Sequence, residues 1–180
     1  MIHMFIVSFI GDAVPADIHK LAAITHENGG QWITSKINYL ENRVAALIKI
    51  AAPEETEMYI KDAFLSQSNL STMITDCESH DAEQKTEYNL RIDANDRAGI
   101  VNEITHLLDS QRIRVIDMNC QRIFISDSHG VNSSLFTAHI SLRLPETLLI
   151  DDVINELESL SEDTQVMIDN SSIRTSNTTP

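Results

Sequence analysis

The stretch 88-YNLRIDANDRAGIVNEITHLL-108 contains a strand, a tight turn and an amphipathic helix in succession. Residues 88–94 have the pattern of a short strand, and residues 95–99 have the composition of a turn that ends in glycine. The apolar residues that follow recur at the spacing of one helix face: Ile100, Ile104, Leu107 and Leu108. The stretch therefore predicts a strand that leads into a helix through a glycine-containing turn.

The same pattern occurs once before, 83 positions earlier in the chain. Apolar positions of the first helix and the next strand pair at this offset without a gap: Ile18 with Val101, Leu21 with Ile104, Ile24 with Leu107, and Ile33 with Ile116. Periodic helices by themselves would match over the helix only. One constant offset that continues into a strand indicates a duplicated unit.

In each half the order of strands and helices is βαββαβ. Such a unit folds as a four-stranded antiparallel sheet with two helices on one face, the ferredoxin-like arrangement. The sequence therefore predicts an α+β protein of two ferredoxin-like units. The predicted boundaries are residues 1–76 for the first unit, 77–86 for a polar linker, 87–170 for the second unit and 171–180 for a flexible tail, with a polar hairpin loop at 126–133.

The charge balance argues against direct binding to nucleic acid. The chain has 13 basic and 27 acidic residues, a formal net charge of −14, whereas proteins that bind DNA use Lys and Arg to neutralise phosphates.

We expect a cytoplasmic protein without membrane association. No apolar run reaches the roughly 18 residues of a membrane span, and the N-terminus lacks the basic start of a secretion signal. Cys77 and Cys120 show no metal-binding spacing and are expected to be reduced thiols.

Motifs of catalysis are missing from the sequence. There is no G-x-S-x-G nucleophile turn, no phosphate-binding P-loop and no G-x-G-x-x-G dinucleotide motif. The seven histidines include no helical pair with an acidic companion of the kind that holds zinc. We therefore expect a protein that is not an enzyme, with no catalytic residues, no metal and no cofactor.

The turn that precedes the second unit's first helix resembles the signature of the ACT domain, usually written D-R-P-G-[IL]-[VL]. Here Ala98 stands where proline is commoner. ACT domains bind amino acids at this turn, because glycine lets a ligand approach the backbone and the free helix amides can receive a carboxylate. The resemblance implies a ligand site formed by Asn95, Asp96, Arg97, Ala98, Gly99, Ile100 and Val101. A purely structural alternative is that Asp96 caps the helix and Gly99 supplies the turn geometry.

The corresponding turn of the first unit departs from this signature. Val14 replaces the arginine, Ala16 replaces the glycine, and Asp17 adds a negative charge beside the place where a ligand carboxylate would bind. A weaker site is predicted here, at Gly11, Asp12, Pro15 and Ala16. A helix start without a ligand is the alternative. We expect a unit that has kept the fold and lost the site.

Two ACT-like units that fill residues 4–170 resemble the glycine cleavage system transcriptional repressor family. The resemblance implies an amino-acid-responsive regulator, with a small effector such as glycine, that acts through a transcriptional activator protein rather than on DNA. Two alternatives stay open. The first alternative is an ACT-like interaction module without a ligand. The second is the detached regulatory subunit of an amino-acid metabolic enzyme. Its sheet edges also offer a route to homo-oligomers.

Overall fold

A computed structural model describes residues 1–77, 86–127 and 130–169. The chain divides into two compact units, Met1–Ala82 and Glu83–Pro180. Of the predicted linker only residues 77 and 86 are described, and the predicted tail lies outside the described residues.

The first unit is one antiparallel sheet with two helices. Its elements are β1 (Ile2–Gly11), α1 (Pro15–Glu27), β2 (Gln31–Leu40), β3 (Arg43–Pro53), α2 (Glu54–Leu65) and β4 (Leu70–Asp76). The strand order is β2-β3-β1-β4, so that β1 and β3 are the central strands. Proline begins α1, where its missing amide proton costs no hydrogen bond.

The core of the first unit lies on the side of the sheet that the helices cover. Alternate side chains of β1, from Phe5 to Phe9, and of β3, from Val44 to Ala52, are buried. Phe64 of α2 is 1% exposed, and its ring lies 6.5 Å, centroid to centroid, from the rings of both Phe9 and Trp32.

The second unit repeats this architecture. Its elements are β5 (Glu87–Asn95), α3 (Ile100–Ser110), β6 (Arg114–Asp127), β7 (Gly130–Arg143), α4 (Ile150–Glu158) and β8 (Gln165–Ile168). All strand pairs are antiparallel, in the order β6-β7-β5-β8. The predicted fold class, two ferredoxin-like βαββαβ units in an α+β protein, is confirmed.

The offset of 83 positions is visible in the burial pattern as well as in the sequence. Residues at this spacing are buried in both units: Val7 and Leu90, Phe9 and Ile92, Leu21 and Ile104, Thr25 and Leu108. Thr25 is the polar exception in this set, and its hydroxyl donates a 2.8 Å hydrogen bond to the carbonyl of Leu21. The two units therefore share one core layout.

The predicted hairpin loop at 126–133 is wrong for most of its length. Strand β6 continues to Asp127 and β7 begins at Gly130, with Ser126 paired to Val131 and Asp127 paired to Gly130. Backbone groups of two adjacent strands can pair whatever the polarity of their side chains, so the polar composition does not end the ladder here. The register shifts between Ile125 and Ser126. Residues 128 and 129 of the predicted loop lie outside the described residues.

Phe64→Ala is expected to lower the free energy of unfolding of the first unit by about 3–5 kcal/mol, because it empties a ring-sized volume in the core. Urea unfolding followed by the fluorescence of Trp32, the only tryptophan, measures this loss. Tyr59→Ala on the same helix is the control: Tyr59 is 61% exposed, so its loss should stay within about 0.5 kcal/mol. Equal losses in both variants would contradict the described core.

Candidate functional site

The turn between β5 and α3 ends at Gly99, the residue that caps the N-terminus of α3. Its φ of +86° lies in the left-handed region, which side chains other than glycine rarely occupy. The carbonyl of Gly99 accepts the first helical hydrogen bond, from the amide of Glu103 at 2.9 Å. The turn geometry that the sequence predicted for Gly99 is thus confirmed, and it needs glycine.

The space in front of this helix end is open. A Cβ atom placed on Gly99 would meet only the Oε1 atom of Glu103, at 3.9 Å. The amides of Val101 and Asn102 belong to the first helical turn, which has no helix-internal acceptors. Among the described residues neither amide has a hydrogen-bond partner. The turn therefore presents two backbone donors next to unfilled space.

Arg97 pairs with Glu103 across the first turn of α3. Its NH1 and NH2 atoms lie 2.6 and 2.5 Å from the two carboxylate oxygens, and NH2 also lies 3.4 Å from the carbonyl of Leu160. The hydrogen bonds from Arg97 hold the pKa of Glu103 below its usual range, and those to Glu103 raise the pKa of Arg97. The guanidinium is therefore held beside the open helix end with its charge already paired.

Asp96 connects the turn to the β6–β7 hairpin. Its carboxylate accepts hydrogen bonds from Arg122 Nε at 2.8 Å and from the Ser134 hydroxyl at 3.2 Å, and its amide donates to the Ser134 carbonyl at 2.9 Å. Because the residue that caps α3 is Gly99, without a side-chain cap, the alternative that Asp96 caps the helix is wrong. Asp96 instead anchors the turn to a neighbouring strand.

Asp163, which the sequence did not single out, contributes a further carboxylate. It lies in the loop between α4 and β8 and accepts a 2.6 Å hydrogen bond from the amide of Asn95. Hydrogen bonds from Ser161 and from that amide hold the pKa of Asp163 below its usual range, and the charge of Arg97 lowers it further. No local motif marks Asp163, because its position depends on the pairing of β5 with β8.

The remaining predicted residues of this turn differ in what they can offer a ligand. Ala98 is exposed, whereas the side chain of Ile100 is 2% exposed and belongs to the core. Val101 is half-buried against that core. The turn therefore combines open amides, suited to a carboxylate, with the carboxylate of Asp163, suited to an ammonium group, while Glu103 is already paired with Arg97. A carboxylate and an ammonium group are the two charged groups of an α-amino acid.

The first unit's turn is held closed by contacts of its own. A Cβ atom on Gly11 would lie 2.1 Å from the carbonyl oxygen of Asn69, so glycine is needed here for a close approach of backbone. The amide of Asp12 donates to that same carbonyl at 3.2 Å, and Asn69 Nδ2 donates to the carbonyl of Asp12 at 2.5 Å. The Asp12 side chain also lies 3.5 Å from Arg43. Gly11 and Asp12 thus have structural roles.

The start of α1 differs from that of α3 in the same way. The carboxylate of Asp17 accepts a 3.0 Å hydrogen bond from the amide of Val14, the residue that caps α1. The residue aligned with Asp17 in the second unit is Ile100, an apolar core residue, so α3 starts without such a carboxylate and without a side-chain cap. Pro15 and Ala16, the other two weaker candidates, are exposed at this helix start.

The described residues offer neither a metal site nor a membrane-spanning helix. No group of three or more His, Cys, Asp or Glu residues among them could hold a metal ion. No helix in the described ranges is long and apolar enough to cross a membrane.

Arg97→Gln is expected to return the pKa of Glu103 towards the ordinary glutamate range of about 4.3. In the wild type the pair stabilises the fold fully above that range, and this contribution is lost as the pH falls through the lowered pKa. A carbon-13 NMR titration of the side-chain carboxyl measures the change. Arg114→Gln, at an exposed strand position, is the control and should leave the Glu103 titration as it is. A Glu103 titration that Arg97→Gln leaves unchanged would contradict the pair.

Comparison with solved structures found the same architecture elsewhere. An unknown protein from Galdieria sulphuraria superposes with a TM-score of 0.78 at 16% identity, over 93% of this chain and 98% of that one. A protein provisionally named a glycine cleavage system transcriptional repressor superposes with a TM-score of 0.67, also at 16% identity and over 93% and 98% of the two chains. A scan of protein-family models and a search of curated proteins gave no match.

These likenesses extend over nearly the whole of each chain, so they concern the tandem arrangement rather than one unit. At 16% identity they establish architecture and not activity. The chain has a tandem ACT-like fold, similar to that of a protein named as a glycine cleavage repressor.

Proposed function

We propose that this chain is an amino-acid-responsive regulatory protein of the cytoplasm, not an enzyme, that binds its effector at the turn before α3. The observation that supports this most is the contrast between the two helix starts. The chain's own Asp17 carboxylate accepts a hydrogen bond from the residue that caps α1, whereas α3 has no side-chain cap and the amides of Val101 and Asn102 have no partner among the described residues. An effector carboxylate would accept hydrogen bonds from these two amides.

The charges around the turn favour a zwitterion over a simple anion. Asp163 would repel a ligand that carried only negative charge and would attract the ammonium group of an amino acid, whereas the charge of Glu103 is balanced by Arg97. Asn95 to Val101 would surround the ligand mainly with backbone. Glycine is the first amino acid to test, because a protein of the same fold carries the name of a glycine cleavage repressor.

Action through a protein partner fits the charge of the chain better than action on DNA. A net charge of −14 opposes contact with phosphates. Ligand binding would then change the affinity for the partner by ordinary linkage between the two sites. A transcriptional activator is the partner that the family resemblance implies, and a metabolic enzyme is the alternative.

Calorimetric titration with glycine and a panel of other amino acids tests the effector site. Gly99→Val should weaken binding of the effector by about tenfold or more, since the side chain enters the open space and strains a left-handed backbone. Ala16→Val at the aligned position of the first unit is the matched control and should bind as the wild type does. Circular dichroism checks that both variants fold.

Amide shift mapping on the wild type is a second readout that needs no variant. The amides of Gly99, Val101 and Asn102 should move on addition of the effector. If no amino acid binds at millimolar concentration, the chain is an interaction module without a ligand. If Gly99→Val binds normally, the effector site lies elsewhere.

A gel-shift assay with duplex DNA tests the second half of the proposal. The chain alone should not retard DNA at the salt concentration of the cell, because its acidic surface repels phosphates. Co-purification from the source cells then identifies the partner, and a metabolic enzyme in place of an activator would favour the regulatory-subunit alternative. Salt-dependent retardation of DNA by the chain alone would refute action through a partner.

A further inference from the structure

The first unit has a sheet face that its helices do not cover, termed here the open face. The side chains of β1 and β3 that point to it are Met4, Ile6, Ser8, Ile10, Ala45, Leu47, Lys49 and Ala51. Ile10 and Leu47 are 52% and 51% exposed, and Met73 on the neighbouring strand β4 is 67% exposed. The open face is thus largely apolar in the two central strands.

The second unit carries side chains of a different kind at the same positions. The central strands of the two units pair in the same register: Val7 lies opposite Ile48 in the first unit, as Leu90 lies opposite Ile140 in the second. Aligning these two pairs gives the residue of the second unit that is equivalent to each residue of the open face. In the order given above they are Glu87, Asn89, Arg91, Asp93, Thr137, His139, Ser141 and Arg143. All eight are polar.

These polar side chains form hydrogen bonds and ion pairs along their sheet. The hydroxyl of Thr137 donates to Asp93 at 2.6 Å, Arg91 Nε lies 2.9 Å from the same carboxylate, and Arg143 lies 3.4 Å from Glu87. The fold therefore does not need apolar side chains at these positions. Their presence in the first unit has a cause other than packing within the unit, and a contiguous exposed apolar patch marks an interaction site.

The charge of the open face is opposite in sign to that of the chain. None of its eight positions holds a carboxylate, although the chain carries 27 acidic residues. Lys49 is half-buried among the apolar side chains and makes no ion pair or hydrogen bond with any described residue.

We infer that the open face binds an acidic amphipathic segment of a partner protein. Apolar side chains of the segment would cover Ile6, Ile10 and Leu47, and its carboxylates would pair with Lys49. A second copy of this chain fits less well, because two such faces would bring their lysines together. The inference rests on the partner half of the proposed function and leaves the effector site untouched.

Fluorescence anisotropy with two labelled peptides tests this surface. Each is an amphipathic helix of ~18 residues, five turns, with leucine on one face and either glutamate or lysine on the other. The full chain should bind the glutamate peptide at least about tenfold more tightly than the lysine peptide, and Lys49→Glu should reverse that preference.

Two substitutions locate the binding on the open face. Leu47→Ser removes apolar contact without adding charge and should weaken binding of the glutamate peptide by about tenfold. His139→Ser, at the equivalent position of the second unit, is the matched control and should have no effect. Urea unfolding followed by Trp32 fluorescence confirms that the first unit of each variant is folded.

Equal affinity for both peptides, absence of binding, or a Leu47→Ser variant that binds normally would overturn the inference. Sedimentation of the wild type tests whether a second copy of the chain covers the open face instead. If the wild type is a dimer and Leu47→Ser is a monomer, the face binds a second copy and the inference is overturned. Glycine titration of Leu47→Ser separates the two proposals. Normal glycine binding with failed peptide binding would refute only the docking surface.

Discussion

The antiparallel pairing of the two central strands determines most of what this chain presents to its surroundings. In the first unit β1 and β3 pair over the whole length of β1, from Ile2–Pro53 to Gly11–Val44, and β5 and β7 form the equivalent ladder. Because successive side chains point to opposite faces, the register decides which residues meet the helices. A slip by one residue would expose the core set and bury the other. The core and the open face are therefore two consequences of one pairing.

The same ladder positions the turn before α3. Strand β5 ends at Asn95, whose amide donates a hydrogen bond to Asp163. The next residue, Asp96, accepts hydrogen bonds from Arg122 and Ser134 of the β6–β7 hairpin. These contacts hold the turn from two sides, so the helix end beyond Gly99 keeps its orientation without a side-chain cap. In the first unit the helix starts at Pro15, and the Asp17 carboxylate accepts a hydrogen bond from the residue that caps it. One fold thus carries two turns of different chemistry.

The duplication, the element order and the special turn glycine were all predictable from local patterns. Apolar periodicity reports which face of a helix or strand is buried, and a constant offset reports a repeat. The extension of β6 to Asp127 and the start of β7 at Gly130 were not predictable in this way, because polar side chains do not reveal that the backbones pair. Asp163 and the Asp96–Arg122 pair were hidden for a related reason: their partners are distant in sequence.

The amino-acid sequence is enough to establish two βαββαβ units, an acidic chain, and one turn with glycine where its counterpart has alanine. These properties depend on residue type and spacing alone. Tertiary structure decided which amides stay open, where Arg97 finds its carboxylate, and that the same sheet positions are apolar in one unit and polar in the other. Those features require the register between strands that are far apart in the chain, and register follows from pairing and burial together rather than from any local stretch.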